Sequence, residues 1–401
     1  MPAPCASPAV PEVGNRVLLV NDQVADLGGN ERAFAALLDL CPDADALSGG
    51  FVGTNMPDGH RPHWHPRVRV VPMGGRRRAF LMPWFARRMG RAEVGRPRLV
   101  VSVTHGGWST AVRVPAGARH VCYSAGLPPH LYGHVDEFLT EYPRPLRPAL
   151  RRAAPRLRTA YRELMRRPGR LIVNSQHSAR SVEREVDRRV EVVYPPVRTR
   201  FFTPAVPTHS FTSAASARGH FLLVARLVRQ KRVDVAVEAF RGLSQRLVVV
   251  GDGPDGDRLR RSAPPNVRFT GPLEDRRLRE LYRSSSGFVC TSLETFGIAV
   301  CEALSSGVPV IAPRAGGPVE TVRDGETGLL LDRVEPRAVA EAARALAGGG
   351  FDPGACRASV VRFSEERFKS EMADVLTEEL EGARPRRFSP PSHPGPVHSA
   401  A

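Results

Sequence analysis

Glu294 and Glu302 stand eight residues apart in SLETFGIAVCEALSSGVPVIAPRAGGPVE, an apolar stretch that runs into a Gly/Pro-rich one. A carboxylate among apolar side chains is expensive without a partner, so two acids here call for cations or a polar ligand. The spacing is about two helical turns, which would set both on one wall of a cleft. By itself it describes two glutamates on a solvated helix face just as well. Arg226 and Lys231 form a second set, following the strand-like FLLVA in ARLVRQKRVDVAVEAF. Two cations after a strand, at the opening of a helix, suit a diphosphate, because the helix N-terminus adds its own partial positive charge. Basic residues in such a loop also read as plainly solvated. Gly251 and Gly253 end the strand-like part of VVVGDGPDGD. Glycine there lets a backbone and a ligand approach closely, and a simple strand-to-helix turn asks for it equally.

These residues must be held by a scaffold, and the pattern of the chain supplies one. RVLLVN at 16–21 predicts a buried strand, followed by Gly28-Gly29 and the helical run ERAFAALLDL. Further strands are expected at 67–72, 99–104, 120–123, 171–174 and 190–194. A second series runs through 221–225, 246–250, 267–270, 287–291, 308–312 and 328–331, and 364–382 reads as a terminal helix. Strands alternating with helices imply α/β halves built on parallel, helix-covered sheets. Between the halves, EYPRPLRPALRRAAPRLRTAYRELMRRPGR sets Leu146, Leu150, Leu157, Tyr161 and Leu164 at helical spacing among arginines. Such a segment either packs its leucines inward or lies on an anionic membrane, and its prolines argue against one uninterrupted helix.

The 401 residues suffice for two domains, and 42% hydrophobic with 25% charged residues is a globular composition. The net charge of +17 is uneven: residues 1–200 hold 31 Lys+Arg against 17 Asp+Glu, and 201–401 hold 27 against 24. A basic first half can attract an anionic substrate, a membrane surface or nucleic acid. Arginine supplies nearly all of it, since Lys231 and Lys369 are the only lysines. Six scattered cysteines without a C-x-x-C pair point to a reducing cytoplasm. The N-terminus lacks a signal-peptide pattern, and no run approaches the ~20 apolar residues of a membrane span.

Taken in order, these segments resemble the retaining glycosyltransferases of family 4. The resemblance implies the GT-B fold, α/β with two Rossmann-like domains facing each other across a cleft. Its expected organisation is a disordered tail at 1–15, an acceptor-binding domain at 16–197 and a linker at 198–218. A nucleotide-sugar donor domain at 219–362 follows, then a C-terminal helix at 363–382 packing back toward the first domain, and a disordered tail at 383–401. By the same resemblance Glu294 holds hydroxyls of the donor sugar and Glu302 those of the ribose, since a carboxylate accepts two hydrogen bonds from a vicinal diol. Phe296, Gly297 and Ile298 offer backbone amides. Gly29 approaches the donor phosphates, Gly251 and Gly253 border the pocket, and the loop from Gly271 to Leu273 lies beside the nucleobase. Gly316-Gly317, Glu320 and DGETGLLL continue the pattern, and VYPPV is common among GDP-mannose-dependent members.

The sequence also departs from the family. Ala225 replaces a glycine, and Arg232, which replaces another, is expected to enlarge the phosphate-binding field. In CYSAGLPPHLYG, Ala125 occupies a histidine position and His130 falls near the place of an arginine. His105, at the end of a predicted strand, can line the cleft instead or serve the fold alone. The catalytic set expected is Arg226, Lys231, Glu294 and His105. Asp43-Ala44-Asp45 and Asp255-Gly256-Asp257 look like D-x-D metal motifs but fit capping and turn chemistry. No cofactor and no metal are expected.

The function implied is transfer of a sugar, with mannose from GDP-mannose foremost, to a lipid-linked or polysaccharide acceptor at the inner membrane face. A UDP-sugar donor is an alternative, and Ala125 also allows a non-catalytic subunit that binds a nucleotide-sugar. Specific nucleic-acid binding lacks any matching module.

Overall fold

The structure, a computed structural model, describes residues 16–23, 28–50, 68–71, 81–133, 135–140, 142–205 and 219–382. The two expected tails and residues 206–218 of the expected linker lie outside them.

The first domain runs β1 (Val17–Asn21), α1 (Gly29–Leu40), β2 (Asp45–Ser48), β3 (Val68–Val70), α2 (Met82–Met89), β4 (Leu99–Thr104), β5 (Arg119–Ser124), α3 (Val135–Leu139), α4 (Arg147–Arg166), β6 (Arg170–Val173), α5 (Gln176–Val186) and β7 (Glu191–Val192). The second runs β8 (His220–Val224), α6 (Val233–Phe240), β9 (Leu247–Val250), α7 (Gly256–Ser262), β10 (Val267–Gly271), α8 (Asp275–Arg283), β11 (Ser285–Val289), α9 (Ile298–Ser305), β12 (Val310–Pro313), α10 (Pro318–Thr321) and β13 (Gly328–Leu331). Three helices follow, α11 (Pro336–Ala347), α12 (Pro353–Val360) and α13 (Glu365–Glu381).

Both sheets are parallel, in the orders β3-β2-β1-β4-β5-β6-β7 and β10-β9-β8-β11-β12-β13. Their strands read as unbroken apolar runs because both faces are covered. In β1, Val17 and Leu19 face the layer of α1 and α13, while Leu18 and Val20 face that of α2, α4 and α5. Helix α13 contributes Phe368, Met372, Val375 and Leu376 to the first domain's core. It is tied there by Arg170, which donates to Glu378 at 2.8 Å and to Glu191 at 2.7 Å.

Two local readings need correction. The segment read as a turn around Asp45 opens β2, a strand whose apolar content is only Ala46 and Leu47, too little to show against the preceding helix. Helix α4 is one continuous helix of 20 residues despite Pro155. A proline inside a helix costs about 3 kcal/mol, and here the buried face of Ala154, Leu157, Tyr161 and Met165 holds the helix through it. Leu150 and Leu164 pack partly onto the same core, whereas Leu146 stays 51% exposed. No helix among the described residues is long and apolar enough to cross a membrane.

In each sheet the strand order reverses once, between β1 and β4 and between β8 and β11. Open α/β sheets bind ligands outside the carboxyl ends of strands at such points. The segments after these four strands carry Gly28-Gly29, His105, Arg226 with Lys231, and Glu294.

Candidate active site

Lys231 ends a short turn of 3-10 helix before α6, and Glu294 lies in the loop between β11 and α9. Lys231 Nζ donates to Glu294 Oε1 at 2.6 Å, and Ser292 Oγ donates to the same oxygen at 2.6 Å. Burial alone would lower the pKa of the Lys231 ammonium; the Glu294 carboxylate outweighs it and holds the pKa above its ordinary value. Arg226 is exposed at the head of the same loop. Ala225 has no positive φ, so its side chain is accommodated, but Arg232 sits at φ +48. The guanidinium of Arg232 donates to the Val334 carbonyl at 2.9 Å, so it is spent on the backbone rather than on a phosphate field.

The glycines act partly through the protein itself. A Cβ on Gly251 would lie 2.0 Å from the Ala225 carbonyl oxygen, and one on Gly253 would lie 2.3 Å from that of Leu227. Their absence lets the β9–α7 turn support the Arg226 loop, which it bonds through Leu227 N to the Asp252 carbonyl at 2.9 Å. Gly317 likewise could not carry a Cβ, which would fall 2.2 Å from Phe296 Cα; its N–H donates to the Glu294 carbonyl at 2.8 Å. Gly271 closes β10 beside Gly251, and Leu273 is partly buried.

The two acids do not share a helix. Gly297, at φ +93, delays the start of α9 to Ile298, so Glu294 belongs to the loop and Glu302 to the helix. No side chain caps Gly297, which leaves the first-turn amides of α9 without intrahelical acceptors. Phe296 is buried among Tyr194 and Phe363, so its side chain serves the core. Glu302 is 2% exposed, paired with Arg32 of α1 across the domains and bonded by the Tyr282 hydroxyl at 3.3 Å. Gly29 also reaches the second domain, since a Cβ on it would come 2.9 Å from Ile298 Cδ1.

His105 is solvent-accessible, yet protein around it lowers its pKa, first through burial, with Asp22 opposing and Lys231 adding to the effect. The geometry next to it reaches the second domain: a Cβ on Gly126 would lie 3.4 Å from Thr295 Cγ2, in the loop that carries Glu294. Ala125 is the neighbouring strand end: its N–H donates to the Thr104 carbonyl at 3.0 Å, so positions 105 and 125 stand side by side. His130 is buried against Phe138. Among the described residues no group of three His, Cys, Asp or Glu converges as a metal-ligand set. Asp255 binds Arg258 at 2.6 Å, and its carboxylate makes no cap bond to α7.

The cross-domain contacts of Asn174 and Ser175 escaped the sequence reading, which placed Glu320 in the family pattern without a partner. Ser175 Oγ donates to the Thr295 carbonyl at 2.6 Å and Asn174 Nδ2 to Thr295 Oγ1 at 3.2 Å, joining the first domain to the loop of Glu294. Glu320 accepts from the N–H groups of Gln176 at 3.0 Å and His177 at 2.8 Å and from the Tyr194 hydroxyl at 3.0 Å. Asn174-Ser175, a cap signal directly after a strand, was the available hint.

Comparison with known proteins agrees with this layout. Residues 41–201 match the model described as Glycosyltransferase Family 4, and residues 218–348 that described as Glycosyl transferases group 1. A GDP-mannose-dependent alpha-mannosyltransferase of Corynebacterium glutamicum is 44% identical over 117 residues, 28% of this chain and 27% of that protein. A D-inositol 3-phosphate glycosyltransferase of Acidothermus cellulolyticus is 36% identical over 199 residues, 42% of this chain and 43% of that one. The chain thus spans less than half the length of these curated relatives. Anabaena HepE, solved with UDP and glucose, superposes with a TM-score of 0.64 at 18% identity, covering 90% of this chain and 99% of that one. Sucrose-phosphate synthase from Thermosynechococcus elongatus gives 0.69 at 19% identity, covering 92% and 100%. Both structural likenesses are of fold alone. With its two halves matched in order and two Rossmann-like domains meeting at their switch points, the chain belongs to the family 4, group 1 glycosyltransferases of GT-B fold.

Proposed function

We propose that the chain transfers a sugar from a nucleoside-diphosphate donor, with mannose from GDP-mannose as the donor and a lipid-linked or polysaccharide acceptor. The observation that carries this reading is the Lys231–Glu294 pair in the loop that leads into the uncapped start of α9. Breaking the anomeric C–O bond sends its electron pair to the diphosphate while positive charge grows on the sugar. Arg226, Lys231 and the α9 amides stabilise the departing oxygens. A preorganised donor of this kind typically contributes ~2.7–4 kcal/mol in the transition state. Glu294 holds sugar hydroxyls, and Glu302 holds the ribose through the acceptor capacity that Arg32 and Tyr282 leave. The acceptor oxygen attacks the same face, which retains configuration, and its proton passes to the leaving diphosphate. In this scheme the leaving group is stabilised without a metal.

The choice of mannose is supported by VYPPV and by the similarity to the GDP-mannose-dependent alpha-mannosyltransferase of Corynebacterium glutamicum. The exposed arginines 151, 152 and 156 of α4, with Leu146 at 51% exposure, support peripheral contact with anionic lipid at the inner membrane face.

The test is a binding and turnover panel of GDP-mannose, UDP-glucose and UDP-N-acetylglucosamine with wild type, Glu294→Ala, and Arg226→Ala combined with Lys231→Ala. Selective binding of GDP-mannose, weakened in the variants, is the expected result. Selective binding of a UDP-sugar would overturn the donor assignment. Binding without transfer to any lipid-linked or polysaccharide acceptor would favour the non-catalytic subunit that Ala125 allows.

A further inference from the structure

Every residue from Val101 to Val112 is buried except His105. A tightly packed loop with one accessible side chain is a presenting device, and the group that holds it is Asp22, at the end of β1. Asp22 Oδ2 accepts from Thr104 Oγ1 at 2.6 Å and from the N–H groups of His105 at 2.9 Å and Gly106 at 2.6 Å. Its Oδ1 accepts from Ser109 N at 2.7 Å, and its carbonyl accepts from Trp108 Nε1 at 2.9 Å. Thr104 Oγ1 in turn accepts from Gly107 N at 2.6 Å. One carboxylate therefore gathers three backbone amides and a hydroxyl from a six-residue loop, an anion seated in a nest of N–H groups.

Resting on the reading of the cleft given above, we infer that Asp22 is a positioning residue for sugar transfer, fixing the loop that presents His105 beside Ala125 and Gly126, where the first domain meets Thr295 of the Glu294 loop. Three points separate this from a purely structural carboxylate. The loop starts at the switch point of the first sheet, where ligands are bound. Its only accessible side chain stands beside Ala125, and a Cβ on the following Gly126 would lie 3.4 Å from Thr295 Cγ2 of the other domain. Asp22 also acts on that side chain electrostatically, raising the imidazole pKa against the lowering effects of burial and Lys231. Asp22 after β1 and Lys231 before α6 are the charged groups whose fields act on the imidazole. Ala125 beside it removes the histidine otherwise expected there, which makes the placement of His105 matter more.

The experiment uses the full chain with Asp22→Asn, Thr104→Val, His105→Ala and the double variants of the first two with the third. Two readouts are taken: the His105 imidazole titration by NMR, which needs no turnover, and kcat with donor KM across pH. Asp22→Asn should lower the His105 pKa and reduce kcat about tenfold, with donor KM within about twofold. In the His105→Ala background the same substitution should change kcat little. If Asp22→Asn melts too early to assay, Thr104→Val keeps the charge and removes one strut. It should move the His105 pKa up toward its ordinary value as water enters, with a kcat loss again absent in the His105→Ala background. An unchanged His105 titration, or equal kcat losses with and without His105, overturns the inference. A chain that transfers no sugar at all, while His105 titrates as expected, would instead defeat the functional reading and leave the coupling of Asp22 to His105 standing.

Discussion

Glu320 should act as a helix cap supplied by the opposite domain, and its removal should open the domain interface rather than empty a ligand site. Its carboxylate is 6% exposed and serves three donors: two first-turn amides of α5 and the Tyr194 hydroxyl. Hydrogen bonds to a charged group are worth about 1.5–3 kcal/mol each, and the α5 dipole adds ~0.3–1 kcal/mol. Freed amides regain water once the domains part, so the lower end applies, and the two amide bonds alone account for a loss of about 3 kcal/mol in Glu320→Ala. Since about 1.4 kcal/mol is a factor of ten, amide exchange at Gln176 and His177 should accelerate roughly a hundredfold. Glu320→Gln keeps one acceptor oxygen and should lose about half as much free energy. The Tyr194 phenol, its pKa raised first by burial and next by Glu320, should titrate lower in both variants. Hydrogen exchange of a peptide spanning 174–182, with one spanning 310–313 as control, measures the effect. Unchanged exchange at 176–177 in a natively folded Glu320→Ala protein would falsify the cap.

Other substitutions test the site and its frame. Lys231→Met should reduce kcat by ~100–1,000-fold, and steady-state kinetics on the folded variant would check this. Arg232→Gly removes the left-handed strain at φ +48 together with the bond to Val334, whereas Arg232→Ala removes the bond and keeps the strain. The glycine variant should therefore be the more stable of the two by about 1 kcal/mol in chemical denaturation. Burial holds the pKa of His120 down at about 4, with Arg167 assisting, against an ordinary 6.5. Between these values the unfolded chain binds the proton and the native chain does not, so stability falls as pH drops through that window, by on the order of 3 kcal/mol in all. His120→Gln should flatten that part of the stability–pH curve.

The strands of both sheets were legible because parallel strands covered on both faces leave continuous apolar runs such as LVVSV and RLVVV. Strand β2 was hidden by its shortness, and the continuity of α4 was hidden by Pro155, since packing of Leu157, Tyr161 and Met165 overrides local propensity. At the site, order along the chain revealed the cations and acids but not who pairs with whom. Nothing in the spacing of Glu294 and Glu302 says that one would face Lys231 and the other Arg32. That depends on how two domains close, which single-chain periodicity does not encode. Asp22 was invisible for a related reason: its partners lie more than eighty positions away, at the end of the adjacent parallel strand and in the loop after it.

Closure and chemistry share residues in this molecule. Thr295, between Glu294 and Phe296, takes the hydroxyl of Ser175 and the amide of Asn174 from the first domain. Gly317, bonded to the Glu294 carbonyl, leads directly into α10 with its cross-domain carboxylate Glu320. Glu302, on the helix whose start faces the pocket, is held by Arg32. The loop that carries Glu294 is therefore gripped by the first domain at Thr295 and supported by a segment that is itself capped onto α5. Separating the domains would remove these restraints from Glu294 and withdraw His105 from Lys231 in one movement. The Lys231–Glu294 pair, by contrast, lies within the second domain and would survive it. Under the proposed function, an open state would keep the cation assigned to the diphosphate and lose the restraints on Glu294, so donor capture and catalytic competence would be separable steps set by the same interface.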